Sequence, residues 1–144
     1  GSGVSQMRFS NDGSTWSSWQ AYSTTASWTL TSGDGTKTVY AQFKDNAGNA
    51  SSATISDTIG LDTVAPTATR TSPTRTPFKA PGPIVLSASD SVVIYYILNG
   101  GAQATYMAPV EVTVYQGNGQ TIEFWSVDAA GNASTHTTWD FHAN

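Results

Sequence analysis

Apolar residues along this chain recur mostly at every second position, in short runs broken by glycine, proline and asparagine. Val39, Ala41 and Phe43 alternate with polar neighbours, and Ile122 and Phe124 do the same further on. A period of two sends successive side chains to opposite faces of an extended backbone, so these runs predict half-buried strands and no helix. Five strands are expected in the first part, near 4–10, 17–22, 26–31, 36–44 and 51–59. Seven are expected in the second, near 67–72, 83–89, 92–98, 103–107, 109–114, 120–127 and 134–142.

The punctuation repeats. Residues 45–51 read DNAGNAS and residues 128–134 read DAAGNAS, each directly after an alternating run. Each run also follows a glycine turn, Gly33-Asp34-Gly35 in one copy and Gly117-Asn118-Gly119 in the other. Asp45 and Asp128 can accept bonds from amides two residues on. Gly48 and Gly131 take positive φ at little cost, and Asn49 and Asn132 tolerate it. The motif therefore reads as the tight corner of an antiparallel hairpin. Calcium is the alternative use of its Asp and Asn oxygens, although the further carboxylates of a strong site are missing. No other cofactor is expected.

A seam lies near 60–66, Gly-Leu-Asp-Thr-Val-Ala-Pro, because Pro66 lacks an amide donor and restricts Ala65. It divides the chain into 1–61 and 62–144. Seven strands are the count of a simple immunoglobulin-type sandwich. The stretch 73–83, with Pro73, Pro77, Pro81 and Pro83, reads as a stiff, irregular connection. Aligning the copies pairs Met7–Gly13 with Ile94–Gly100. About 25 residues of the second module precede that point, against almost none in the first. The expected fold is all-β: two tandem Ig-like or fibronectin III-like sandwiches, the first without its opening two strands. That leaves an open edge on the first module. Either the chain is a piece of a longer one, or a neighbouring domain or identical subunit supplies the strands, as in donor-strand assembly.

Composition narrows the function. Charged residues are 11% of 144, against about 25% in ordinary soluble domains. Net charge is −4 with only six Lys and Arg, so a phosphate-gripping patch and nucleic-acid binding are not expected. No apolar run approaches about 18 residues, so no membrane span is expected. There is no cysteine, so packing alone must hold the fold.

No catalytic constellation stands out. His136, Asp140 and His142 share one face of the last strand, with Ser134 near. The simpler reading is a solvated face whose reverse carries Trp139 and Phe141 into the core. Glu111 and Glu123 fall on adjacent predicted strands, on outer faces. Trp16, Trp19, Tyr22 and Trp28 crowd one short stretch, and exposed rings of this kind stack on sugars; the alternative is that they close the core. Tyr95, Tyr96, Tyr106 and Trp125 pose the same choice in the second module. Lys37, Lys44 and Lys79 are candidates for a covalent crosslink to Asn or Asp, and Asn49-Ala50-Ser51 and Asn132-Ala133-Ser134 are formal glycosylation sequons in accessible turns.

The string from Val4 to Gly13, with Trp16, Trp19 and the later Asp-Asn-Ala-Gly-Asn, resembles the tandem Ig-like repeats of large bacterial extracellular proteins. The second module, with Ala65-Pro66-Thr67, Tyr95-Tyr96 and Asn99-Gly100-Gly101, is similar to the Ig-like domain at the C-terminus of chitobiases and other secreted hydrolases. The resemblance implies an extracellular or cell-surface bacterial protein whose modules serve as spacers, adhesive repeats or accessory domains; the expectation is a structural or adhesive role, with a filament built through the open edge, and no enzymatic one. It also implies that Trp19 and Tyr22 sit where such repeats pack a large ring. Polysaccharide is the ligand implied by the accessory-domain alternative.

Overall fold

The structure, a computed structural model, describes residues 3–72, 82–90, 93–112 and 119–141. All the regular structure among them is β, and it divides into two compact units, Gly1–Asp62 and Thr63–Asn144.

The first unit is one antiparallel sheet. Its strands are β1 (Val4–Ser10), β2 (Gln20–Ala21), β3 (Gly35–Asp45) and β4 (Ile55–Leu61), in the order β2-β1-β3-β4. Met7 lies opposite Phe43 and Phe9 opposite Ala41, while Arg8 lies opposite Gln42. Residues directly opposite point the same way. The inner face therefore carries Met7, Phe9, Val39, Ala41 and Phe43, and the outer face Arg8, Tyr40, Gln42 and Lys44. Among the described residues of this unit only Met7 and Ser10 are buried.

Two expected strands differ here. The run near 17–22 contracts to two residues, and 26–31 is not a strand at all. Its alternation is real, but a strand also needs a hydrogen-bonding partner, and among the described residues no strand pairs with it. β4 starts later than expected because the corner and the loop after it occupy residues up to 54.

The second unit is a sandwich. Its strands are β5 (Ala68–Ser72), β6 (Gly82–Ala88), β7 (Val93–Leu98), β8 (Gln103–Thr105), β9 (Val110–Val112), β10 (Gln120–Val127) and β11 (Thr137–Phe141). One sheet has the order β11-β10-β7-β8, the other β5-β6-β9. Ala68, Ile84 and Leu86 from the smaller sheet meet Ile122, Phe124 and Phe141 from the larger. Ile84, Ile122 and Phe141 are fully buried, and each such side chain contributes roughly 1.5–3 kcal/mol. Arg70 and Trp139, on strands of different sheets, add a clasp: the guanidinium lies 3.9 Å from the ring centroid. β9, next to β10 in sequence, joins β6 in the opposite sheet. The proline-rich stretch 73–81 lies outside the described residues.

Candidate functional site

The four aromatic residues Trp16, Trp19, Tyr22 and Trp28 do not form one cluster. Alternation along β1 divides them between the two faces of the sheet. On the inner side, Trp28 lies 5.6 Å from Phe9 at a 45° tilt, and its Nε1 donates to Asn11 Oδ1 at 2.8 Å. Asn11 Nδ2 donates to Thr29 O at 3.0 Å, which ties the irregular segment to the end of β1. Tyr22 meets Phe43 edge to face at 6.2 Å. Met7, Phe9, Tyr22, Trp28, Val39 and Phe43 line a groove of about 340 Å³. A second groove of about 410 Å³ is lined by Trp28, Leu30, Val39 and Ile59. This is core-type surface without a cover.

Trp16 and Trp19 contact the outer-face residue Arg8, whose guanidinium lies 4.9 Å from the first ring and 4.6 Å from the second. Gln42 Oε1 accepts from Arg8 Nε at 3.0 Å and Nη2 at 2.6 Å, fixing the fork. Lys44 Nζ lies 4.3 Å from the Trp19 ring. These rings hold cations, a use that the bare aromatic count did not reveal. An Arg at an outward strand position followed by Trp-x-x-Trp was the available signal. Trp16 and Trp28 do meet around a third groove, about 460 Å³, with Asn11, Asp12 and Thr15. Asp12 Oδ1 accepts from Thr15 N at 2.6 Å, Ser14 N at 2.7 Å and Ser10 Oγ at 2.9 Å. The Thr15 and Ser14 amides, foremost, hold this carboxyl well below the usual carboxylate range.

Both Asp-x-Ala-Gly-Asn corners are built alike. Asp45 Oδ1 accepts from Ala47 N and Asn49 N, each at 2.9 Å, and Oδ2 accepts from Asn49 Nδ2 at 3.1 Å. Asp128 accepts from Asn132 N at 2.8 Å and Nδ2 at 2.9 Å. Burial pushes the Asp128 carboxyl up, but these bonds and the Gly131 and Ala130 amides outweigh it, and its pKa falls. Gly48 and Gly131 have φ of 89° and 93°. Asn49 and Asn132 do not use a left-handed backbone; their side chains brace the Asp instead. The oxygens proposed for calcium thus receive the turn's own N–H groups. No group of three His, Cys, Asp or Glu suited to a metal occurs among the described residues.

In the second unit His136 leaves the final strand. Its ring stacks on Trp125 at 4.0 Å and 7°, and Nδ1 lies 2.6 Å from Glu123 Oε1. Tyr95 flanks the same indole at 5.6 Å, so Trp125 is buried although its neighbours on β10 face the core. Tyr96 and Tyr106 pack against the core cluster. Ser134 Oγ accepts from Ser126 N at 2.9 Å. Asp140 lies opposite Thr121 on β10. His136 and Ser134 are thereby engaged with different partners, and no contact among the described residues His136, Asp140 and Ser134 joins them; His142, Lys79 and the side chain of Glu111 lie outside the described residues. Lys37 Nζ donates to Ser32 O at 3.1 Å.

Comparison with family models finds no match, and comparison with curated proteins finds none either. Among solved structures the chain is similar to that described as "Structures of Clostridium thermocellum CbhA fibronectin(III)-like modules". The TM-score is 0.54 at 18% identity, over 98% of this chain and 78% of that one. The chain is an all-β protein with the sandwich architecture of Ig-like and fibronectin III-like domains.

Proposed function

We propose that this chain is a non-catalytic pair of structural modules from a secreted or surface bacterial protein. In this reading another subunit supplies the strands that complete the first unit, building an extracellular fibre. The observation that carries it is the inner face, which Tyr22 and Trp28 cover only in part. In the second unit a β5-β6-β9 sheet covers the corresponding face; in the first, Phe9, Trp28, Val39 and Ile59 line open grooves. Completion by strands from a neighbour buries that surface and gives residues 26–31 a hydrogen-bonding partner. Fibronectin III-like modules typically connect or bind and do not react, which agrees with the engagement of Asp45 and Asp128 in turns and of His136 in a stack.

The test is sedimentation and electron microscopy of the full chain across concentration. Filaments or concentration-dependent oligomers are expected, and Val39→Lys on the inner face is expected to abolish them. A chain that stays monomeric at every concentration with both units folded contradicts the proposal. A second reading, a carbohydrate-binding accessory module, is favoured by the groove where Trp16 and Trp28 meet Asn11, Asp12 and Thr15. Polysaccharide pull-down lost on Trp16→Ala or Trp28→Ala supports it; pull-down unaffected by either removes it.

A further inference from the structure

Each unit places a tyrosine directly after its edge strand. Tyr106 follows β8 directly and donates its backbone N–H to Ile94 O at 2.8 Å. Tyr22 follows β2 directly and donates its N–H to Ser5 O at 2.9 Å. Taking Met7 with Ile94, as the shared register to β3 and β10 requires, the edge strand of the first unit is slid by two residues. An even slide keeps every side chain on its face. Both tyrosines therefore project toward the inner side of their sheets.

Their hydroxyls differ in partner. Tyr106 Oη accepts the backbone N–H of Leu86, in the middle of β6, at 3.2 Å. That bond crosses from one sheet of the sandwich to the other, and it uses the main chain, so it specifies a strand and not a side chain. Tyr22 has no β6 above it. It is 47% exposed, and its hydroxyl makes no protein hydrogen bond among the described residues. The segments after the two tyrosines also correspond: Ala26-Ser27-Trp28-Thr29-Leu30-Thr31 has the pattern of Ala108-Pro109-Val110-Glu111-Val112-Thr113. In the second unit Val110–Val112 of that segment form β9, and Val110 pairs with Ile84 of β6.

We propose that Tyr22 is the backbone anchor for an incoming strand of the β6 type, carried by a neighbouring subunit. This rests on the strand-completion reading above and adds its address. The strand runs antiparallel to residues 26–31, with an aliphatic residue opposite Trp28 as Ile84 stands opposite Val110. Two residues further along, its amide donates to Tyr22 Oη, and the aliphatic side chain there fills the groove between Phe9, Tyr22 and Phe43. The occupant's chemistry follows from that template: aliphatic side chains at alternate positions, no charge on the inward face, and a free N–H at the anchoring position, which excludes proline there.

The test uses the full chain and a capped peptide with the sequence of residues 82–88, Gly-Pro-Ile-Val-Leu-Ser-Ala, titrated by residue-resolved NMR. The expected result is shifts at residues 22–31 and 39–43. Tyr22→Phe keeps the ring contact with Phe43 and removes only the acceptor, and is expected to weaken binding about three- to ten-fold, the worth of one hydrogen bond. A peptide with an N-methylated leucine at the anchoring position is expected to bind wild type and Tyr22→Phe equally, both at the weakened level. Tyr106→Phe is expected to leave peptide affinity unchanged. If the peptide shifts the inner face but Tyr22→Phe binds as tightly as wild type, the anchor is wrong and strand completion stands. If the peptide leaves residues 22–31 and 39–43 unshifted, both are wrong.

Discussion

In the second unit Ile122 and Phe124 lie beneath Ile84 and Leu86 and see no solvent to speak of; in the first, Val39 and Ala41 hold the corresponding places after the same kind of glycine turn and are only half-buried, with no second sheet over them. Both units contain a four-stranded sheet threaded the same way, an edge, a strand, then a hairpin closed by an Asp-x-Ala-Gly-Asn corner. A sheet is thus specified by local pattern and turn chemistry, while burial depends on whether a second layer exists. The outer faces differ in the opposite sense. Where the second unit stacks Tyr95, Trp125 and His136, the first lays Arg8 against Trp16 and Trp19, so it draws on its outer surface for order that its inner face does not supply.

Substitutions can break this comparison. Phe124→Ala is expected to cost about 3–5 kcal/mol in the second unit. Phe43→Ala, on the half-open face of the first, is expected to cost less than half as much, since that ring is already part-exposed. Denaturant unfolding monitored unit by unit through NMR peak intensities measures both, and equal costs would mean the first unit has a closed core. Gly48→Ala and Gly131→Ala meet no atom within 4 Å, so their cost is backbone strain alone. It is expected to be about 1–2 kcal/mol in each unit, equal within error by the same method. Arg8→Met should remove a cation from between two rings and lower the first unit by about 0.5–1 kcal/mol, leaving the second untouched.

The smallest effect is that of acid. Asp12 and Asp128 have folded pKa values below the ordinary 3.8, so the unfolded chain binds protons first as pH falls. Their contribution is complete above about pH 5 and is lost progressively below pH 3.8. Asp12→Asn is expected to flatten the melting-temperature profile of the first unit in that range, and Asp128→Asn that of the second. A profile unchanged by either variant would mean the turn amides do not hold these carboxylates.

Much of this architecture is readable from residue order. Period-two alternation marks β1, β3, β7 and β10, and the Asp-x-Ala-Gly-Asn motif marks the corners, because both are local properties of a few neighbouring residues. The failures share one cause. Trp28 and Leu30 alternate as a strand does, but strand formation needs a partner that lies elsewhere, and alternation carries no information about it. The four aromatics of 16–28 look like one patch in sequence, yet the sheet divides them, since the loop from 11 to 19 reaches Arg8 on the outer face while 22–30 lies on the inner. Glu123 and His136 are separated by a corner and a loop, so their pairing over Trp125 follows only from the β10–β11 register. Tyr22 carries no signal alone; its meaning comes from Tyr106.

Amide hydrogen exchange of the dilute, monomeric chain tests the uncovered face most directly. The amides of Val39, Ala41 and Phe43 in β3 should exchange many-fold faster than those of Ile122, Phe124 and Ser126 in β10, and saturating peptide of residues 82–88 should close much of that gap. Equal protection of the two strands without any added strand would contradict the account, because it would show the first unit already closed.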